Sequence, residues 1–297
     1  MNTFSNYEIF KNVRLTAETK RQEENRPHEI LYFHKVDDPY SHLTIHYIDK
    51  IESSFDVVIK SILVGEENPE AVHEPSLYGI YCLEDAKRIA PFYDVELSAE
   101  SYPDKELIDD ANSILAAVEE RDFTEIARKV SSALWSGNKQ FLSTLKTKYL
   151  STQNEVIEKL EFGNKIRNEK GYYFGSAFYY EKELYWGVDR LHHLEDRLIE
   201  LGVKTNSKND SICSPNLKAP LRLNSEIKVN LSYYPSLNSP YTYASAKRVR
   251  EIEDEYPINL ITKPVLPMLM RKMNIPDYKG KYIISDAARE ARKNGYP

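Results

Sequence analysis

The sequence predicts an α/β protein built as a tandem duplication whose second copy is truncated. Three observations lead to this fold class: an early strand, helix, strand pattern, the return of that pattern late in the chain, and a block of helical periods in between. The 297 residues suffice for two domains, since one domain typically takes about 100–150 residues. A composition of 41% hydrophobic and 29% charged residues is that of a folded protein.

Four segments are predicted along the chain. Residues 1–27 are polar and charged without a sustained period and are expected to form an extension. A complete domain is expected over 28–202 and a polar linker containing prolines over 203–225. Residues 226–297 then hold the partial second domain.

The first domain opens with a βαβ unit. An apolar run at 28–35 predicts a buried strand, and a second run at 55–64 predicts another. Between them, Asp38 at an N-cap position and Pro39 at the first helical position predict a helix. Short connections make the two strands parallel neighbours. The expected buried stripe of the helical segment is Leu43, Ile45, Ile48 and Ile51.

Helical periods dominate the middle of this domain, and strand character returns near its end. Apolar residues recur at helical spacing from Pro75 to about Lys170. The aromatic segment 171–187 then predicts an antiparallel hairpin that turns at Glu181 and Lys182. A closing helix is expected to end at Gly202.

The opening pattern recurs after the linker in register, at an offset of 201 residues. Two separate motifs share this offset with an equal span between them, which is typical of tandem duplication. The alternative is two unrelated βα units with coincidental helix caps. The matched residues are Asp38 to Ser41 over Ser239 to Thr242, and Tyr81, Asp85, Ala86, Arg88 and Ala90 over Tyr282, Asp286, Ala287, Arg289 and Ala291.

The second copy lacks counterparts of the helical block, the hairpin and the closing helix. A domain halted at this point exposes the apolar face of its short sheet. We therefore expect the chain to be a fragment of a protein of roughly four hundred residues, judged from the length of one full copy. The alternative is a partner that covers this face.

Charge and hydropathy narrow the function classes. The chain has 40 Lys and Arg against 46 Asp and Glu, a net charge of −6, so no basic surplus neutralises a nucleic-acid backbone. No apolar run approaches the roughly 18 residues of a spanning helix, and the N-terminus lacks the apolar stretch of a signal peptide. We expect a cytoplasmic protein with no nucleic-acid or membrane partner.

Three motifs resemble those of a known family. They are S-P-Y at 239–241, KGKYIISDAAREARKNGYP at 279–297 and GVDRLHHLEDRL at 187–198. The sequence is similar to the DsbA-like thioredoxin-fold family, in the branch of 2-hydroxychromene-2-carboxylate isomerases and kappa-class glutathione transferases. The resemblance covers nearly all of 28–297, once completely and once in part. It implies a thioredoxin-like fold with a helical insertion.

The resemblance also implies a cosubstrate, glutathione, and a position for its sulfur. Family members hold the glutathione thiolate with a serine at the start of the first helix, and Ser239 stands at that place in the second copy. Free N–H groups and the positive end of the helix dipole favour an anion there, and a hydroxyl donates a hydrogen bond to it. The simpler interpretation is that Ser239 only caps its helix.

The first copy departs from the family at two positions. Asp38 replaces the serine, and its carboxylate repels a thiolate, so we expect no glutathione activation in this copy. The family's cis-proline before the hairpin strand is missing, because Ala177 occupies that segment. A cis bond at a non-proline residue costs about 3 kcal/mol, so a trans bond is expected there.

Three further residues match the family's glutathione-binding positions. Lys279 corresponds to a lysine near the glutathione carboxylate and Asn274 to an asparagine upstream of it. Asp189 corresponds to the aspartate that holds the γ-glutamyl amine. In a copy without the serine, we expect Asp189 to act instead as a cap of the closing helix, and Lys279 read without the family is an exposed loop charge.

Other constellations favour structural roles. Asp38, His42 and His46 share one helical face and have a spacing that a metal site can use, but hydrogen-bonded or exposed histidines are commoner, and no metal is predicted. Cys82 is expected in the core and Cys213 exposed in the linker. With only these two cysteines, far apart, no CxxC pair exists.

The leading prediction is a glutathione-dependent isomerase or transferase with Ser239 as catalytic residue and a small, aromatic-derived substrate. The alternative is a non-catalytic binding or scaffolding protein of the same fold, and a thiol-disulfide oxidoreductase is third because CxxC is absent. Self-association, or pairing of the two copies within the chain as a pseudo-dimer, stays open.

Overall fold

The computed structural model describes residues 6–205, 211–215 and 228–295. The chain divides into two compact units, a larger unit of residues 14–216 and a smaller unit of residues 1–13 with 217–297. Most of the predicted linker, 206–210 and 216–225, lies outside the described residues. None of the described helices is both long and apolar enough to cross a membrane.

The N-terminal extension contains a helix that the sequence pattern did not predict, α1 (Tyr7–Glu23). Polar contacts replace the missing apolar stripe. The side chain of Asn6 caps the first turn by accepting from the backbone N–H of Glu8. Farther along, Arg21 pairs with Glu18 one turn earlier at 2.7 Å. A hydrophobic period is therefore a poor detector of a helix held by caps and ion pairs.

The larger unit contains a four-stranded mixed sheet in the order β2-β1-β3-β4. Strand β1 runs parallel to β2, with Ile30 opposite Ile59, and antiparallel to β3, which pairs with β4 as a hairpin. The predicted parallel pair is confirmed. The strands are β1 (Glu29–His34), β2 (Val58–Leu63), β3 (Ala177–Tyr180) and β4 (Glu183–Trp186).

The predicted helix between β1 and β2 is present as two short helices, α2 (Pro39–Ile45) and α3 (Ile48–Ser54). Asp38 caps α2 and Pro39 is its first residue, as the sequence predicted. The four residues of the predicted stripe, Leu43, Ile45, Ile48 and Ile51, are all buried.

The predicted helical block consists of five helices that pack on the sheet and on each other, and a closing helix follows the hairpin. The five are α4 (Pro75–Ile89), α5 (Lys105–Ala116), α6 (Glu120–Trp135), α7 (Lys139–Lys148) and α8 (Gln153–Glu169); the closing helix is α9 (Leu191–Glu200).

Order and direction of these elements are those of a thioredoxin-like fold with a helical insertion. A βαβ part and a ββα part share one mixed sheet, and the helical block lies between them in sequence. The hairpin turns where predicted, because Glu181 and Lys182 have φ of 42° and 72°, the positive values that a tight hairpin turn requires.

The smaller unit contains a second βαβ pattern. Strand β5 (Val229–Tyr233) lies parallel to β6 (Ile258–Thr262), and the helix α10 (Pro240–Glu255) connects them. Helix α11 (Asp277–Lys293) follows and packs against α10. Strand, helix and strand thus occupy the positions expected from the repeat in the sequence.

Individual contacts within the larger unit have counterparts within the smaller unit, at the sequence offset of 201. The Tyr40 hydroxyl donates to Asp85 over 2.8 Å, and the Tyr241 hydroxyl donates to Asp286 over 2.7 Å. Opposite pairs in the parallel ladders also correspond, since Leu231 faces Leu260 as Ile30 faces Ile59. The backbone N–H groups of Ile59 and Leu260 donate to Glu52 and Glu253 in the same way.

The apolar faces of the smaller unit are far less covered than those of the larger one. No described residue of α10 is buried, and β5 and β6 contain no buried residue either. Val229 and Leu231, two positions apart on one face of β5, are both exposed. The exposed apolar face that the sequence predicted for an incomplete copy is therefore present.

Candidate functional site

In the larger unit, the turn from β1 into α2 carries Asp38, which lies 201 positions before Ser239. The Asp38 carboxylate accepts from the backbone N–H groups of Tyr40 (3.2 Å) and Ser41 (3.0 Å), and from the Ser41 hydroxyl (2.7 Å). A carboxylate thus already occupies the N-terminal end of α2. This arrangement leaves no anion-binding position for a thiolate.

A cavity of about 140 Å³ opens beside Asp38. Its lining contains both aromatic rings and carboxylates. The lining comprises Lys35, Asp37, Asp38, Glu67, Val72, Pro75, Tyr78, Gly79, Cys82, Tyr102, Phe174, Gly175 and Trp186.

Carboxylates outnumber cations in this cavity. The Lys35 ammonium pairs with Asp37 at 3.0 Å and with Glu67 at 3.2 Å. Burial acts to lower the pKa of Lys35, but these two carboxylates outweigh it and raise that pKa. Burial raises the pKa of Asp38 to about 6, although its hydrogen bond from Ser41 acts in the opposite direction.

The segment before β3 closes the cavity from the hairpin side. A Cβ on Gly175 would come within 2.7 Å of the Lys35 Cβ and 3.1 Å of an Asp38 carboxylate oxygen, so the backbone approaches here as only glycine allows. Ser176 follows with φ of 54°, and its hydroxyl lies 2.7 Å from that of Thr44. All described peptide bonds are trans, as expected at Ala177.

In the smaller unit, Ser239 is the N-cap residue of α10, with Pro240 at the first helical position. Unlike Asp38, its side chain makes no capping hydrogen bond. The Ser239 carbonyl does accept the first helical bond, from Tyr243 over 3.3 Å. Ser239 therefore occupies the N-cap position, but its hydroxyl does not make the capping hydrogen bond that the simpler interpretation assigns to it.

Behind Ser239, a buried polar cluster connects α10 to α11. The Tyr241 hydroxyl donates to Asp286, which is 1% exposed and also pairs with Arg289 at 2.8 Å. Such a hydrogen-bonded carboxylate fixes the start of α10 against α11. The backbone around Ser239 is therefore held by tertiary contacts as well as by its own helix.

The other predicted glutathione-binding residues fall in different places. Lys279 lies in the first turns of α11, half-buried, and burial lowers its pKa. Asn274 is exposed in the segment that precedes this helix. Both belong to the same unit as Ser239, whereas Asp189 belongs to the larger unit.

Asp189 does not occupy the N-cap position of the closing helix, in contrast to the sequence prediction. The residue lies in a 3-10 turn, Val188–Arg190, and Arg190 occupies the N-cap position of α9 without a side-chain capping bond. The Asp189 carboxylate is exposed and pairs with Arg190 at 2.6 Å. Gly187, with φ of 83°, turns the chain just before this residue.

The histidines of α2 and its end are structural. His42 uses both ring nitrogens, on the Ser131 hydroxyl at 2.9 Å and on the Glu96 carbonyl at 2.8 Å. The His46 ring packs edge-on against it, and burial lowers the pKa of His46 to about 4. A pair with one member fully hydrogen-bonded to protein is not arranged as metal ligands.

The two cysteines are both buried, so the expectation for Cys82 is confirmed and the one for Cys213 is wrong. Cys213 is 0% exposed. Its segment is held by Glu195, which accepts from the backbone N–H groups of Ile212 and Cys213 at 2.9 and 3.0 Å. The polar composition of the linker did not indicate a buried residue. Burial is possible here because the Glu195 carboxylate satisfies the backbone donors of this short stretch.

Comparison with known proteins finds similarity among solved structures. No family model matches the chain, and no curated protein matches it either. A solved structure of 2-hydroxychromene-2-carboxylate isomerase is similar with a TM-score of 0.46 and 17% sequence identity, over 59% of this chain and 96% of that one. The thioredoxin-like assignment made above comes from strand order and connectivity.

Sequence reasoning missed the aromatic wall of the cavity. Phe174 stacks on Tyr78 with ring centroids 5.6 Å apart and on Trp186 at 5.0 Å. Tyr102 completes the wall from the loop before α5. A signal was present in the aromatic run at 172–174, but these rings come from four separate segments, and only the fold brings them together.

Proposed function

We propose that the protein is a glutathione-dependent isomerase or transferase of the 2-hydroxychromene-2-carboxylate isomerase type, with its thiolate site at Ser239. The observation that carries the proposal is the contrast between equivalent helix starts. Asp38 fills its own helix N-terminus with a carboxylate, whereas the Ser239 hydroxyl is not engaged in capping. The smaller unit would then be a second, partial copy of the larger one.

Repeated contacts support the duplication. The hydrogen bond from Tyr40 to Asp85 has its counterpart from Tyr241 to Asp286, on the same elements and at the same offset as the sequence repeat. A buried tyrosine–carboxylate bond is not required of every βα unit. Its presence in both places favours common descent over coincidental helix caps.

The start of α10 suits a bound thiolate. The helix is 16 residues long, so its N-terminus carries the partial positive charge of unpaired N–H groups. Ser239 is half-buried and has a hydroxyl to donate. Both effects favour the ionised form of a thiol, and the thiolate is the nucleophilic form.

The proposed reaction needs no oxidant. The glutathione sulfur adds to an unsaturated carbon of a small, aromatic-derived substrate, forming a C–S bond as a double bond becomes single. Rotation about that single bond follows, and loss of the thiolate restores the double bond in a new configuration. Ser239 stabilises the thiolate before addition and after departure. Lys279 and Asn274 are the proposed contacts of the tripeptide, through its carboxylate and backbone, and Asp189 is assigned no part.

Calorimetry with reduced glutathione tests the thiolate site on the full chain. We expect saturable binding that weakens by about tenfold in Ser239→Ala, the loss of one hydrogen bond to a charged group. Ser245→Ala is the matched control, since Ser245 lies on the same helix and its hydroxyl donates to the Thr242 carbonyl. Absence of binding, or equal affinity in Ser239→Ala and the parent chain, overturns the proposal.

The second candidate is a non-catalytic binding protein of the same fold. It is favoured by the carboxylate of Asp38 at one helix start and by the exposed apolar strand residues of the smaller unit. Absence of glutathione binding in the experiment above favours this candidate. A thiol-disulfide oxidoreductase has the least support, because Cys82 and Cys213 are both buried and free.

A further inference from the structure

We propose that the cavity beside Asp38 binds a small organic cation, a primary or methylated amine, between its carboxylates and its aromatic wall. The site belongs to the larger unit alone and does not depend on the glutathione site proposed at Ser239. Carboxylates and aromatic rings line this cavity, and both kinds of group attract a positive charge.

The acidic wall has an unbalanced negative charge. Three carboxylates, Asp37, Asp38 and Glu67, line the cavity with one cation, Lys35. Lys35 forms salt bridges with Asp37 and Glu67 and also acts on Asp38 through its charge, so one cation is shared by three carboxylates. A charge in this partly desolvated position is stabilised by a ligand of opposite charge.

Aromatic rings line the same space. Tyr78, Phe174 and Trp186 form a continuous stack, and Tyr102 also lines the cavity. A cation within about 6 Å of such a ring is attracted by its quadrupole, most strongly where water is excluded. Carboxylates with several aromatic rings are the usual surroundings of bound ammonium groups.

Other ligand classes fit less well. An anion would meet the carboxylate excess. A metal ion requires several ligand atoms close to one another, and among the described residues those of this cavity do not form such a group. An apolar ligand of the same size would leave the excess of carboxylate charge uncompensated.

The volume limits the ligand to a few non-hydrogen atoms. A cavity of about 150 Å³ accommodates benzene, and this one measures about 140 Å³. An amine of about five or six non-hydrogen atoms therefore fits, by the same comparison. The probe chosen is n-butylammonium, with 1-butanol as its neutral analogue of equal length.

Calorimetry on the full chain at pH 7.5 and fixed ionic strength tests the proposal. We expect n-butylammonium chloride to bind at least about tenfold more tightly than 1-butanol, the equivalent of one well-placed charge interaction. Asp38→Asn keeps an oxygen that can cap α2 but removes the charge, and is expected to lower the affinity for n-butylammonium by about tenfold.

Two further variants complete the design. Trp186→Leu removes one ring face and is expected to weaken n-butylammonium but not 1-butanol. Glu84→Gln is the control, because Glu84 lies on α4 outside the cavity lining and is exposed. Circular dichroism verifies that each variant is folded. Undetectable binding of n-butylammonium, equal affinity for 1-butanol, or unchanged affinity in both Asp38→Asn and Trp186→Leu overturns the proposal.

Discussion

At the scale of single residues, one position decides what each helix start can do. Asp38 and Ser239 occupy equivalent places at the offset of 201, each followed by proline and tyrosine. The aspartate supplies its own anion to the helix N-terminus, so a second anion there is repelled. The serine supplies a neutral donor. One difference in side-chain charge therefore separates a cation-binding cavity from a candidate thiolate site in our proposals.

The cysteines provide a prediction at this scale. Burial raises the pKa of Cys82 to about 12 and that of Cys213 well above its usual range. Both thiols are therefore protonated and shielded in the native chain at neutral pH. We expect a thiol reagent such as 5,5′-dithiobis(2-nitrobenzoate) at pH 7.5 to label native protein at least about a hundredfold more slowly than protein in denaturant.

The unfolded chain is the internal control of this measurement, since it has the same two thiols without the burial. Rapid labelling of one thiol per native chain would contradict the placement of that cysteine, and mass spectrometry of the labelled peptide would show which one.

At the scale of elements, α8 packs on β2 with almost no space between their backbones. A Cβ on Gly163 would lie 1.9 Å from the carbonyl oxygen of Leu63. Because the obstacle is backbone rather than a flexible side chain, the helix must move away to admit a methyl group. We expect Gly163→Ala to lower the free energy of unfolding by about 2–4 kcal/mol, measured by urea denaturation.

Gly79→Ala is the matched control, because Gly79 is also inside a helix and a Cβ there meets nothing closer than 3.8 Å. Helix propensity alone then raises stability by up to about 1 kcal/mol. Equal effects of the two substitutions would mean that α8 does not approach β2 as closely as described.

Elements with an apolar period were predictable, and those held by polar contacts were not. Strands β1 and β2 and their parallel pairing followed from two apolar runs with a short connection. Helix α1 was not predicted, because it has no hydrophobic period and is stabilised by its cap and its ion pairs. The anchored stretch around Cys213 escaped for a related reason, since the carboxylate of Glu195 that holds it lies 18 residues earlier.

At the scale of the whole molecule, buried histidines make stability depend on pH. Burial lowers the pKa of His34 to about 3 and that of His46 to about 4, and it lowers the pKa of His42 as well. Their unfolded values are near 6.5, so their contribution is complete above pH 6.5 and is lost as pH falls toward 4. Each such group lowers the free energy of unfolding by about 1.4 kcal/mol for each pH unit of acidification in that window.

Asp38 acts in the opposite direction. Its folded pKa, about 6, is raised above the ordinary 3.8, so its contribution is complete below pH 3.8 and is lost as pH rises through 6. Burial also lowers the pKa of His28 and raises that of Glu52. Four histidines against two carboxyl groups still leave a net loss of stability on acidification. We expect the free energy of unfolding, from urea titrations, to fall between pH 6.5 and 4.5.

His46→Leu tests this assignment. The Nε2 atom of His46 is buried without a hydrogen-bond partner among the described residues, so an apolar replacement leaves no donor unpaired. The loss of stability between pH 6.5 and 4.5 should shrink by about 2–3 kcal/mol relative to the parent chain. Parallel pH profiles for the two proteins would show that His46 is protonated in the folded state.

The sequence by itself determined the α/β class, the thioredoxin-like order of elements, the hairpin turn and the two strand, helix, strand patterns, because each depends on local periods or on residues a few positions apart. It also placed Asp38 and Ser239 at helix starts, which are local features. Only the tertiary structure decided that Cys213 is buried, that Asp189 is outside the N-cap position, and that Asp38 lines a cavity with aromatic residues. Those outcomes depend on segments such as 172–174 and Trp186 meeting β1 and α4 in space, and chain folding, not sequence spacing, sets those distances.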